Sequence, residues 1–253
     1  MINMKYKYLF IFLLSINCTS IYAQKKVNNQ KISSDYREVI LGTTEEYQKL
    51  PHLKLKSASA EDFDQLPETN FWTMPKVEKA NHHFYIQTSK GKQKFKIYSN
   101  EGNQKGWNGY ELLGYSHLLS LYAISSNSSS EGIGFGELFL LDPKNSFKYH
   151  ISSFGDWYVS LPVPSTQHKN FAYYHNTQYQ HKNSDIGILK FNAKAAAGKA
   201  FKPVASLHSD EFAVEEMRWA DDNILYIKGF EEIYNCDKWI KKYKYYRAAL
   251  SDL

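Results

Sequence analysis

Cysteine is nearly absent from this chain, with two in 253 residues. A disulfide scaffold is excluded. Seven prolines and 13 glycines are too few for a collagen-like or low-complexity chain. No apolar run reaches the roughly 20 residues of a membrane-spanning helix. An excess of one charge is missing too: 31 basic against 26 acidic residues leave +5, which is no nucleic-acid signature. Catalytic signatures are also lacking, with no Gly-x-Ser-x-Gly, no His-Glu-x-x-His, no phosphate-cradling glycine loop and no Cys-x-x-Cys. No cofactor or metal is implied. What the chain has in abundance is aromatic residues, 20 Tyr, 15 Phe and 5 Trp, enough to build the core of a full domain.

The first 23 residues set the compartment. Lys5 and Lys7 precede an apolar run over 8–16, and Ile21-Tyr22-Ala23 ends in the small residue a signal peptidase requires. This is a secretory signal peptide. The mature chain is expected to begin at Gln24, to be periplasmic or secreted, and to carry a net charge of +3 once Lys5 and Lys7 are removed. Cys18 is a poor lipidation site, because Asn17 and Ser15 stand where a lipobox has small and aliphatic residues. Cys236 then stands alone, and is expected to be a partly buried small residue rather than a nucleophile.

Residues 24–80 read as a partly ordered N-terminal arm. Ser59 opens a short helix over 60–66, and Pro67 and Pro75 are stops. From residue 81 onward the helical period disappears. Strands are expected at 83–88, 93–99, 110–115, 118–125, 134–142, 147–152, 158–163, 170–175, 185–191, 201–206, 215–219, 224–229 and 241–248. Alternation such as Lys94-Phe95-Lys96-Ile97-Tyr98 leaves one face wet, whereas Leu138-Phe139-Leu140-Leu141 is apolar on both faces and reads as a central strand.

A polar turn followed by an aromatic-bearing strand occurs three times, with Leu118, Asn170 and Ile224 as equivalent starts, spaced by 52 and 54 residues. A period of about 50 with four strands inside it is that of propeller blades. Pro164-Ser-Thr-Gln-His-Lys-Asn-Phe-Ala-Tyr173 resembles a degenerate TolB-type β-propeller repeat, Ser-Pro-Asp-Gly-Lys-x-Ile-Ala-Tyr, and Trp219-Ala-Asp-Asp-Asn-Ile-Leu-Tyr-Ile227 is similar to the same unit. The stretch 110–250 also resembles exported bacterial proteins of unknown function. Residues 81–253 are therefore expected to form an all-β domain, an incomplete or small β-propeller-like stack of antiparallel sheets. Its length suffices for about three blades, so its edge must be covered by the arm, blunted by charge or paired with a partner.

Smaller features have plain structural readings. Gly132-Ile-Gly-Phe-Gly136 is a loop-to-strand entry with a bulge. His168, His175 and His181 are solvated turn histidines, and Asp221-Asp222 and Glu215-Glu216 are turn formers and edge charges. In a four-stranded blade, alternate loops emerge at opposite ends. One set contains Trp107, Phe154, Trp157, Tyr179, Phe212, Phe230, Tyr234 and Trp239, while the other contains no aromatic. Rings in loops anchor interfaces. The expected contact face comprises Trp107, Phe154, Asp156, Trp157, Tyr179, Phe212, Tyr234 and Trp239, presented to a protein partner in the cell envelope. Carbohydrate binding by the same rings, or hydrolysis by carboxylates near Asp156 and Glu215, are the alternatives.

Overall fold

A computed structural model describes residues 37–99, 107–130, 133–177 and 182–253. Of Trp107 only the backbone is described. The proposed leader, its Cys18 and Gln24 lie outside these residues, as do Tyr179 and His181. Among the described residues no helix is long and apolar enough to cross a membrane.

Strands dominate, arranged in four sheets, none closed. Sheet I holds β3 (Glu78–Ala80), β4 (His83–Thr88) and β5 (Gly91–Lys96). Sheet II is the meander β6 (Trp107–Ser116), β7 (Leu121–Ser130), β8 (Ile133–Asp142) and β9 (Phe147–Ile151), to which β1 (Glu38–Leu41) adds in parallel along β9. Sheet III is β10 (Val163–Pro164), β11 (Asn170–Asn176), β12 (Ser184–Phe191) and β13 (Phe201–Ser209). Sheet IV is β14 (Ala213–Trp219), β15 (Ile224–Asn235) and β16 (Lys238–Ala249), completed by β2 (Leu55–Ser57) along β16. Of the expected repeat starts, Asn170 and Ile224 open β11 and β15, while Leu118 lies in the turn before β7; β7, β11 and β15 are each second in the strand order of their sheets as the chain runs.

Strand alternation sends neighbouring residues to opposite faces, and sheets II and III use both. Leu138 and Leu140 enter a core with Phe171, Tyr173, Leu189 and Phe201 of sheet III. Phe139 and Leu141, one residue out of phase, enter a core with Phe84, Ile86 and Phe95 of sheet I. On sheet III, Ala172, Ile186 and Ile188 face Val214, Met217, Leu225 and Ile227 of sheet IV. Each large side chain so buried contributes about 1.5–3 kcal/mol.

The N-terminal segment is woven into these layers. Thr43 caps α1 (Thr44–Tyr47) through a capping box with Glu46, and Ser59 caps α2 (Ala60–Asp64) in the same way with Asp62. These caps place Tyr47 and Phe63 in the interior. The β2 strand and the bond from Ala58 N–H to the Tyr245 carbonyl cover the lower edge of β16.

Two segments differ from the sequence expectation. The strand expected over 158–163 is reduced to Val163–Pro164. Two of its carbonyls accept from indoles, Pro162 O from Trp72 Nε1 at 2.9 Å and Val163 O from Trp219 Nε1 at 3.0 Å, while Ser160 N–H still donates to Tyr174 O of β11 at 2.7 Å. Conversely, the loop expected between Phe230 and Trp239 is strand. Asn235 pairs with Lys238 around a two-residue turn in which Cys236 and Asp237 both have positive φ, 45° and 64°. Such a turn matches the twist of a hairpin.

Candidate functional site

Of the five expected contact-face rings whose side chains are described, three are built into the body. Phe212 is 1% exposed, stacks on Tyr246 at 4.6 Å and lies over the bare backbone of Gly229. The expectation that Phe212 reaches a partner is corrected: a ring this size is worth more in the core than exposed. Phe154 is partly buried, stacked on Tyr173 and edge-on to Tyr47. Trp157 is partly buried over Gly134, and Tyr158 over Gly136. Gly132 lies outside the described residues, and over Ile133–Gly136 the expected bulge is corrected, since the β7–β8 register runs unbroken there. Gly134 and Gly136 give room for rings rather than form a bulge. Asp156 is exposed, and its carbonyl accepts from Gly136 N–H.

Tyr234 and Trp239 remain outside, 61% and 56% exposed. They face each other as the last ring-bearing pair before the hairpin turn, with centroids 5.3 Å apart. Along sheet IV, β14 pairs with β15 only as far as Phe230, and β2 pairs with β16 only at Tyr246–Ala248. Beyond these points Glu231–Asn235 and Lys238–Lys244 continue as a two-stranded ribbon. On it Ile233 and Tyr243 are also exposed, 36% and 42%. A bare hairpin is marginal in water, and this one is braced at its base. Lys241 bonds Glu215 at 2.6 Å and lies 4.0 Å over the Phe230 ring. The bond to the Glu215 carboxylate raises the Lys241 pKa, keeping it charged. Lys244 reaches Glu231 at 3.5 Å, and Lys228 covers the Tyr243 ring at 4.7 Å. Lys238 and Lys242 add positive charge near the tip and make no ion pair with a described residue. Cys236 crowns the turn and is exposed, not partly buried as expected, because a two-residue turn has no interior.

Among the described residues no group of His, Cys, Asp or Glu could hold a metal ion. His175 is buried rather than solvated, its ring pressed on Gly155. Burial lowers its pKa against the opposing pull of Asp185 and Asp156. His168 stacks on Phe71. Both remaining acidic pairs are structural. Asp221 accepts from the N–H groups of Asn223 and Ile224. Asp222 accepts from the Ser165 hydroxyl and Gln167 N–H and meets Lys169 at 3.2 Å. Burial pushes the Asp222 carboxyl up, but these bonds together hold it below the usual range. Glu216 bonds Arg218 at 2.6 Å.

Four of the loops without aromatics, around Leu118, Lys144, His168 and Ala195, meet at a cleft of about 730 Å³. The strand character of the ribbon was missed from sequence because its turn, Asn235-Cys236-Asp237-Lys238, holds no glycine. The burial alternation of β15 stops at Gly229, and Glu231-Glu232 leave no period of two beyond it. No protein-family model, curated protein or solved structure matches this chain.

Proposed function

We propose that this is an exported, non-enzymatic binding protein that grips a protein partner of the cell envelope with the end of the β15–β16 hairpin. One observation carries the reading. Four large side chains, Ile233, Tyr234, Trp239 and Tyr243, stand exposed on a ribbon that projects beyond its own sheet. Exposed aromatic clusters on a braced element lose little entropy on binding and supply most of the energy at interfaces. The propeller-like stack of sheets serves as the scaffold, and the leader supplies the export. Lysines along the ribbon limit edge-to-edge self-pairing.

Carbohydrate binding is the weaker reading, because the Tyr234 and Trp239 rings are tilted by 58° and do not form one flat platform. The test is capture from envelope extract of the source cell. The native protein retains a defined partner, and the Tyr234→Ser/Trp239→Ser variant loses it without a change in melting temperature. Retention of the partner by that variant refutes the assignment.

A further inference from the structure

We infer that the cleft between sheets II and III is a second binding site, for an amphipathic anion with an apolar body and a carboxylate or phosphate head. It lies among the loops that carry no aromatics, and the argument for it does not depend on the hairpin.

The floor is apolar and fixed. Leu121, Tyr149 and Phe201 are buried there, with Phe191 packed beside them. Gly198 N–H donates to the Tyr149 hydroxyl at 3.1 Å and ties the 192–200 loop over the floor. The walls are mixed, polar at Asn145, Gln167, His168 and Asn192 and apolar at two turns that the core does not need. Leu118 is 61% exposed at the rim, and the facing loop presents Ala193, Ala195 and Ala197. Turns in water favour polar residues, so an apolar lining on two facing turns suits an apolar guest. The volume of about 730 Å³ is in the range of small-molecule sites, about 300–1,000 Å³.

The charge at the mouth selects the head group. Asp142 is the acidic residue of the lining, and its oxygens are occupied by Lys144 N–H at 2.8 Å and Asn145 Nδ2 at 2.7 Å. Lys169 is paired with Asp222. Lys144 and Lys194 line the cleft, and neither forms an ion pair with a described residue. Two unpaired cations above an apolar floor complement a single-headed anionic amphiphile.

Calorimetric titration of the mature protein with decanoate, decyl phosphate and decan-1-ol tests this. One anion is expected to bind at least about tenfold more tightly than the alcohol, a difference of about 1.4 kcal/mol, and the better anion identifies the head group. Lys144→Glu/Lys194→Glu is expected to remove that preference while leaving alcohol binding unchanged. Ala197→Trp, on an exposed loop position, fills the cleft and abolishes binding of all three, with Ala195→Trp as a second variant should the first unfold. Equal affinity for anion and alcohol, no binding, or binding that survives both tryptophan variants overturns the inference. Loss of binding in Tyr234→Ser/Trp239→Ser also overturns it, because the amphiphile then sits on the hairpin.

Discussion

Phe212 and Gly229 give the sharpest test of how the rings are used. The Phe212 ring is buried against Tyr246, and a Cβ built on Gly229 would lie 2.6 Å from its Cδ2 and 2.8 Å from its Cγ. Removing the ring costs transfer energy plus a cavity, about 3–5 kcal/mol. For a domain of this size each kcal/mol moves the melting temperature by about 2–4 °C, so Phe212→Ala should melt some 6–20 °C lower. Gly229→Ala forces a methyl into the ring and should cost about 1–3 kcal/mol as overpacking. In the Phe212→Ala background the same methyl enters empty space, so the double variant should be more stable than the sum of the single losses predicts by about 1–3 kcal/mol. Denaturant unfolding of the four proteins measures the cycle. A Phe212→Ala loss within about 0.5 kcal/mol, the range of ordinary surface changes, or strict additivity would refute the packing argument and return Phe212 to the surface.

Other expectations follow from buried polar groups. The hydroxyls of Tyr47 and Tyr173 are buried and interact only with each other, so Tyr47→Phe/Tyr173→Phe, which removes both at once, should stay within about 1 kcal/mol of the parent; a larger loss in urea unfolding would refute this. The His175 pKa is lowered by burial, so the unfolded chain binds the proton more readily. Its stabilising effect is complete above about pH 6.5 and is lost as pH falls below it. His208, raised chiefly by its bond to Asp185, acts in the opposite sense, favouring the fold below about pH 6.5 and losing that effect as pH rises through its folded value. Melting curves at pH 5 and 7.5 should therefore show a smaller acid loss in His175→Gln and a larger one in His208→Asn than in the parent. Asp222→Ala strips the acceptor from the Ser165 hydroxyl and Gln167 N–H and should cost about 1–3 kcal/mol at pH 7, with the difference from the parent narrowing in acid as the parent's carboxylate is protonated. Equal denaturation midpoints at pH 7 would contradict that role.

Local chemistry was legible wherever a residue's neighbours along the chain decide its state. Ser59 capped its helix because the cap needs only a hydroxyl and the N–H three residues on. Leu138–Leu141 read as a central strand because alternation sends successive side chains to opposite faces, and both faces proved buried. Asn170 and Ile224 open strands β11 and β15, whereas Leu118 lies in the turn before β7, because a polar turn and the strand after it are read from neighbouring residues only to within a few positions. The outcome differed where distant groups compete for one atom or one space. Trp72 and Trp219 captured carbonyls of the expected strand at 158–163, and those bonds span 90 and 56 residues. Gly134, Gly136 and Gly229 gained their meaning only from Trp157, Tyr158 and Phe212 laid over them. A ring in a loop is the same ring in the sequence whether it turns inward or outward. The room a partner strand leaves beneath it decides which, and that room exists only once the sheets have packed.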